Sequence, residues 1–143
     1  KEVSAMIEHR IEVGLVNDFM KVTGPNDAAK GPGTEELYYL VSTGAVLDMV
    51  IEGSGQMLDK LLPKEYTTVG TYIEIFHEQP TLVGEPINVR VRVDRVENSR
   101  IFLSIEGFDT SGRVFMGKYE RHIVNKKRLM QHAYDRFPGT SQP

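Results

Sequence analysis

The chain has 143 residues, of which 40% are hydrophobic and 26% charged, and its net charge is −3. This composition is typical of one globular domain and lacks the excess of Lys and Arg that nucleic-acid binding requires. The absence of cysteine excludes disulfides, thiolate nucleophiles and cysteine-ligated metals. No apolar run is long enough to cross a bilayer and no secretory leader is recognisable. We therefore expect a cytoplasmic protein with neither a membrane nor a nucleic-acid partner.

The first predicted strand covers residues 7–16, where apolar residues and one histidine occupy every second position. Those positions are Ile7, His9, Ile11, Val13 and Leu15. A period of two is typical of a strand with one buried face. The following run, residues 23–34, is rich in Gly, Pro, Asn and Asp, whose backbone preferences indicate a loop. Loops of this length are often functional lids.

A long helix is predicted over residues 35–62, because apolar side chains recur every three or four positions and Pro63 ends the pattern. The apolar stripe consists of Val46, Val50, Ser54, Met57 and Leu61, with Leu47 and Leu58 alongside. A polar stripe beside it consists of Asp48, Glu52 and Gln56. Gly53 and Gly55 are weak helix formers, so their presence indicates that something packs closely against this helix.

Four alternating strands follow, separated by turn residues. Their markers are Thr71, Ile73, Ile75 and His77 in the second strand, Ile87, Val89, Val91 and Val93 in the third, Ile101, Leu103 and Ile105 in the fourth, and residues 114–124 for the fifth. A short helix over about residues 126–136 and a flexible tail end the chain. We predict a single α+β domain over residues 1–143, with its core at about 7–125, in which one helix covers an antiparallel sheet. Because such a sheet leaves strand edges uncovered, we expect a homodimer at least.

Three short segments carry a more specific resemblance: Ser42-Thr43-Gly44, residues 70–77 and residues 117–121. In order and separation they resemble the fluoroacetyl-CoA thioesterase type of hotdog protein. The resemblance implies a hotdog fold, in which a five-stranded antiparallel sheet wraps around one long central helix. It also implies hydrolysis of an acyl-coenzyme A thioester, with coenzyme A as part of the substrate and no separate cofactor. Hotdog dimers of this kind can pair further into tetramers.

The resemblance also assigns candidate site residues. In that family, a threonine at the start of the central helix and a histidine at the end of the second strand act with a helix carboxylate. These two positions fall on Thr43 and His77. The family's glycine beside the acyl group falls on Gly70, and its last-strand arginine falls on Arg121. Gly70 and Arg121 are therefore the predicted substrate-binding residues.

The family carboxylate does not carry over, because its position is Ile51 here. Glu52 is the neighbour of Ile51, about 100° further around the helix. Asp48 lies one turn before Glu52. We assign Glu52 as the candidate catalytic carboxylate, with Asp48 as the alternative.

Each candidate also has a purely structural interpretation. His77 is either a general base or a core histidine bonded to the backbone. Thr43 could be the helix N-cap, with or without a catalytic role. Gly70 could simply begin a strand after a turn. Arg121 could form a surface ion pair with Glu120, or face the cleft together with the tyrosine at position 119 and hold the acyl or pantetheine portion.

Other polar and aromatic clusters have weaker patterns. His9, His122 and His132 have no metal-ligand spacing, so no metal is expected. The basic run at residues 126–128 is either a solvated helix turn or a contact for coenzyme phosphates. Residues 36–40 either pack at the start of the helix or form, with the preceding loop, a hydrophobic lid over the acyl chain.

The leading functional prediction is an acyl-CoA thioesterase in which His77 activates water, or transiently Thr43, against the carbonyl. One alternative is a hotdog enoyl-CoA hydratase or dehydratase, in which Asp48 and His77 would act at the β-carbon. The other is a non-catalytic acyl-CoA-binding hotdog protein, which Ile51 favours because the fold alone does not confer activity.

Overall fold

The computed structural model describes residues 9–139 and consists of one sheet and two helices. The elements are β1 (Val16–Val22), α1 (Thr43–Leu58), β2 (Tyr66–His77), β3 (Pro86–Glu97), β4 (Arg100–Asp109), β5 (Gly112–Asn125) and α2 (Lys126–Asp135). Single turns of 3₁₀ helix lie at Pro25–Asp27, Glu35–Leu37 and Asp59–Leu61. The five strands pair antiparallel in the order β1-β3-β4-β5-β2. The predicted hotdog fold class is confirmed.

The core lies between α1 and the inner face of the sheet. In β3 and β4 the alternation seen in the sequence holds, because every second aliphatic side chain is buried. The fully buried members are Ile87, Val89, Val91, Val93, Ile101, Leu103 and Ile105, which cluster with Val46, Met49, Val50 and Leu58 of α1. Burying one such side chain stabilises the fold by about 1.5–3 kcal/mol. This cluster is what holds α1 against the sheet.

The predicted first strand is wrong in position. β1 begins at Val16, where the prediction ended, and Ile7 lies outside the described residues. Gly14 adopts a φ of 94°, a left-handed turn conformation that interrupts any strand before it. Ile11 is buried in the core without joining the sheet, whereas Val13 is 65% exposed. The alternating pattern there came from core packing and a turn rather than from a sheet ladder.

The predicted long helix is correct in its middle but too long at both ends. α1 begins at Thr43, because Val41 and Leu40 form isolated β-bridges with Ala28 and Leu82. At the other end the chain tightens into the 3₁₀ turn before Pro63. The predicted polar stripe is exposed, and most of the predicted apolar stripe is buried; Ala45, Met49 and Gly53 are further buried positions.

The two helical glycines have different neighbours. A Cβ on Gly53 would lie 3.1 Å from Cβ of Phe19 on β1, so the close packing predicted there is confirmed. A Cβ on Gly55 would make only ordinary contact, 3.6 Å from an oxygen of Asp59. Gly53 therefore sets how closely α1 approaches β1.

The C-terminal half follows the prediction closely. The turn between β3 and β4 contains Asn98 with a φ of 56°, and the turn between β4 and β5 ends at Gly112 with a φ of 134°. α2 then lies on the surface with no buried residue. Within residues 9–139, neither helix has the length and apolar character that a membrane crossing requires.

Gly107 on β4 tests how tightly the core is packed. A Cβ at this position would overlap the ring of its cross-strand neighbour Phe115, which is fully buried. We expect Gly107→Ala to destabilise the protein by about 1–3 kcal/mol or more, because overpacking forces a buried ring to move. Chemical denaturation would measure this. Gly24→Ala is the matched control, since a Cβ there meets nothing within 4 Å; equal stability of the two variants would contradict the packing argument.

Candidate active site

Ser42, rather than Thr43, caps the central helix. Ser42 has extended backbone angles, and its hydroxyl accepts a hydrogen bond from the N–H of Ala45 at 3.0 Å. Thr43 is therefore the first helical residue, and its own hydroxyl is not needed as a cap. That hydroxyl lies 2.8 Å from Nδ1 of His77. The N-cap interpretation of Thr43 is wrong, and the structure brings the two candidate residues together.

His77 ends β2 on the side of the strand that faces the core. Its Nδ1 bonds to a side chain and not to the backbone, so the interpretation as a backbone-bonded core histidine is wrong. Its Nε2 is buried and has no hydrogen-bond partner within residues 9–139. Such unpaired buried nitrogens are rare and cost about 1–3 kcal/mol. One ring nitrogen thus contacts a hydroxyl, and the other is free to bind a further group.

The pair also lies at a helix N-terminus. The first N–H groups of a helix have no intrahelical acceptor. In α1, the capping side chain of Ser42 bonds to one of them, the N–H of Ala45. The helix dipole places partial positive charge at the same end. Negative charge that develops on an oxygen beside Thr43 would therefore be stabilised.

Neither candidate carboxylate reaches this pair in one chain. Glu52 lies nine residues after Thr43, which is about 13 Å along an α-helix and about 180° around it. Asp48 lies about 7 Å along and about 140° around. Both side chains are exposed, and neither bonds to His77. Ile51 is 46% exposed.

Arg121 is buried and held by neighbours on the inner face of the sheet. The residue is only 5% exposed, and its guanidinium donates from Nη1 to the hydroxyl of Tyr119 at 2.6 Å. It also donates from Nε to Oγ1 of Thr68 at 2.9 Å and from Nη2 to the backbone oxygen of Thr68 at 2.6 Å. Glu120 instead pairs with Arg100 at 2.7 Å. The surface-pair interpretation of Arg121 is therefore wrong.

Asp59 anchors this second cluster. Its carboxylate accepts hydrogen bonds from the N–H of Thr68 at 3.1 Å and from the Thr68 hydroxyl at 2.9 Å. Asp59 is also the C-cap of α1, so these bonds tie the end of the helix to the start of β2. Sequence reasoning missed both Asp59 and Thr68. The one sequence signal that could have pointed to Thr68 is its distance of two residues from Gly70, which can place both residues on one face of a strand.

Gly70 is the fifth residue of β2, so the interpretation that it begins a strand is wrong. A bulge separates it from Tyr72, and a Cβ on it would lie 2.5 Å from the hydroxyl oxygen of Tyr119. Its missing side chain therefore makes room for the end of the tyrosine ring, while Gly70 itself is exposed. Contact between Gly70 and a ligand stays a prediction.

The two clusters lie at opposite ends of the molecule. Gly70 and His77 are seven residues apart on one strand, which corresponds to about 23 Å. The helix gives a similar figure, because the 16 residues of α1 span about 24 Å. One chain therefore does not bring the predicted substrate-binding residues to the predicted catalytic pair.

Hydrogen bonds to Asp27 fix the first half of the loop that precedes α1. Asp27 accepts hydrogen bonds from the N–H of Gly24 at 2.8 Å and from Lys21 at 3.0 Å. Burial alone would raise the pKa of Asp27, but these two donors outweigh it and hold the pKa below its ordinary value. Tyr38 and Tyr39 further along are exposed, with ring centroids 4.7 Å apart. Their exposure weighs against packing at the start of the helix, and both that interpretation and their role as a lid stay predictions.

The family model of the fluoroacetyl-CoA-specific thioesterase matches residues 23–127. This range is more than half of the chain and contains both clusters. The chain belongs to this thioesterase family. No curated protein sequence matches it.

Solved structures support the same family fold. A hot-dog-like protein from Thermanaerovibrio acidaminovorans is 30% identical, with a TM-score of 0.83 over 90% of this chain and 94% of that one. The fluoroacetyl-CoA thioesterase FlK is 18% identical, with a TM-score of 0.84 over 90% and 99%. A Thermus thermophilus protein described as a thioesterase superfamily member is 18% identical, with a TM-score of 0.81 over 92% and 98%. The last two likenesses are in the fold.

The contact between Gly70 and Tyr119 can be tested by a double-mutant cycle. We expect Gly70→Ala to destabilise the protein by about 1–3 kcal/mol, although Ala normally improves a strand interior. In a Tyr119→Phe background the penalty should fall, because the nearest remaining ring atom would be 3.0 Å away. Urea unfolding of the four proteins measures the free energy of unfolding of each. The same penalty in both backgrounds would show that the hydroxyl is not what Gly70 accommodates.

Proposed function

We propose that the protein hydrolyses an acyl-coenzyme A thioester to a free acid and coenzyme A. The observation that carries this proposal is the hydrogen bond between Thr43 and His77 at the N-terminus of α1. It joins a hydroxyl, a base and a positive helix end, which are the groups that acyl transfer requires. Coenzyme A would be part of the substrate, with no separate cofactor. A mutant of FlK has been crystallised in complex with acetyl-CoA, which supports this class of substrate.

Two routes are chemically consistent with the pair. In the first, Nδ1 of His77 takes the proton of the Thr43 hydroxyl as its oxygen attacks the carbonyl, and water later releases the acyl group. In the second, His77 takes a proton from a water that attacks directly. Either route breaks the carbon–sulfur bond and releases a thiol. Helix N–H groups beside Thr43 would stabilise the oxyanion.

Glu52 as a catalytic carboxylate remains a prediction, and it requires a second subunit. In one chain the helix geometry places Glu52 on the face opposite Thr43. The same distance argument weighs against a hydratase, because Asp48 is exposed and makes no contact with His77. Ile51 at the position of the family carboxylate favours the non-catalytic acyl-CoA-binding protein as the second candidate.

We also propose that the functional unit is a homodimer joined through β2. Within the described residues this 12-residue strand pairs only with β5, so its other edge is free. If two copies of β2 pair antiparallel about an axis between Ile73 and Glu74, the partner's Gly70 lies opposite His77. Each site would then combine the catalytic pair of one subunit with the partner's Arg121. Further pairing of dimers into a tetramer is compatible with this arrangement.

Thiol release tests the proposed hydrolysis. With a panel of short, aryl and medium-chain acyl-CoAs, we expect His77→Ala to lower turnover at least about 100-fold, because the general base is lost. Thr43→Ser should retain more activity than Thr43→Ala if the hydroxyl takes part. His132→Ala, on the exposed helix α2, is the control. Saturable binding of acyl-CoAs without turnover by the wild type would favour the binding protein instead.

Subunit mixing tests the shared site. With the acyl-CoA that the wild type turns over fastest, His77→Ala and Arg121→Met are each expected to be nearly inactive as homodimers, the first because the base is lost and the second because the acyl group is no longer held in place. Co-refolded in equal amounts, they should recover up to about a quarter of wild-type turnover, because half of the dimers are mixed and each mixed dimer has one intact site. No recovery, in a mixture that native mass spectrometry shows to contain heterodimers, would mean that each site lies within one chain.

A further inference from the structure

Tyr119 carries a hydrogen-bond donor that nothing in the described chain uses. The residue is 3% exposed, and its hydroxyl oxygen accepts a hydrogen bond from Arg121 at 2.6 Å. Because the guanidinium can only donate, the tyrosine proton must point elsewhere. Within residues 9–139 the Tyr119 hydroxyl donates no hydrogen bond; it only accepts the one from Arg121. The O–H of a buried tyrosine usually finds a partner, so this proton is available to water, a partner subunit or a ligand.

Arg121, the residue that donates to Tyr119, is a buried cation that bonds directly to no carboxylate within the described residues. Within residues 9–139, its three hydrogen bonds go to neutral oxygens of Thr68 and Tyr119. The nearest bonded carboxylate, Asp59, is reached only through the Thr68 hydroxyl. A buried cation without a directly paired anion is costly. Its terminal nitrogens also carry further N–H groups, so this cluster favours a ligand that accepts hydrogen bonds.

The unused donor lies where a ligand could reach it. The Tyr119 hydroxyl abuts Gly70, which has no side chain to cover it and is exposed near the free edge of β2. Arg121 is held by its bonds to Thr68, so the guanidinium cannot swing toward that edge without breaking them. The hydroxyl is therefore the group that faces the ligand.

We propose that Tyr119 is a specificity-determining residue whose O–H donates a hydrogen bond to an acceptor atom on the acyl group, and that Arg121 is the positioning residue that orients it. This inference rests on the proposed function for the identity of the ligand as an acyl-CoA. The Tyr119 donor would select short acyl groups that carry an oxygen acceptor near their end. Because the guanidinium lies behind the hydroxyl, a carboxylate should be preferred over a neutral ether oxygen.

Calorimetry with non-hydrolysable thioethers tests the proposal independently of turnover. The probes are S-butyl-CoA, S-(2-methoxyethyl)-CoA and S-(2-carboxyethyl)-CoA, which have similar length but differ in acceptor and charge. We expect the wild type to bind the carboxylate probe about tenfold more tightly than the butyl probe, with the ether between them. In Tyr119→Phe this ratio should fall at least fivefold while affinity for the butyl probe changes less than twofold.

Controls separate specificity from structure. Tyr72→Phe, on the exposed side of β2, should keep the wild-type ratio. In Arg121→Lys, the preference for the carboxylate probe should fall as it does in Tyr119→Phe. If Tyr119→Phe does not fold, Arg121→Lys replaces it in the test. Equal weakening of all three probes, or an unchanged ratio, would overturn the role of Tyr119. A wild type that shows the ratio but hydrolyses no thioester would refute the thioesterase proposal alone.

Discussion

The central constraint in this structure is that α1 is fastened to β2 at both ends. At its N-terminus the Thr43 hydroxyl bonds to His77, and at its C-cap Asp59 bonds to Thr68. Between these points the helix contributes only its apolar stripe to the core. The non-directional core holds the helix on the sheet, but the directional bonds fix its register along β2. That register places the hydroxyl within hydrogen-bond distance of the imidazole.

The same constraint separates the molecule into two polar clusters. A strand of 12 residues and a helix of 16 keep them about 23 Å apart, and neither element can bend enough to bring them together. One cluster has a base and a helix N-terminus, and the other has a buried cation and an unused donor. Within residues 9–139, each has buried hydrogen-bonding capacity left over: Nε2 of His77 at one end, and the O–H donor of Tyr119 at the other. Two-fold pairing at the free edge of β2 is the simplest geometry that lets one ligand contact both.

Much of the fold could be predicted because its strongest signals are local. The alternation in β3 and β4 and the spacing in α1 reflect burial directly, and the glycine at position 53 correctly indicated close packing. The first strand failed because Ile11 is buried outside the sheet, while Val16 and Met20 of the real strand are exposed. Thr43 and His77 were found through the family spacing. Asp59 and Thr68 could not be, because a bond between a helix cap and a strand leaves no periodic signal.

If Thr43 and His77 act as we propose, the lack of a carboxylate contact within residues 9–139 changes what this pair must do. In a triad, the third group orients the base and stabilises its protonated form. Here the ring orientation comes from Thr43 itself and from the packing of β2, while Nε2 has no acceptor in the described chain. A base without such support still contributes to catalysis, typically by a factor of about 10²–10⁴. In the proposed reaction, the helix N-terminus would supply much of the remaining stabilisation by acting on the oxyanion rather than on the imidazolium. Under the proposed mechanism, this balance favours slower turnover than a complete triad would give.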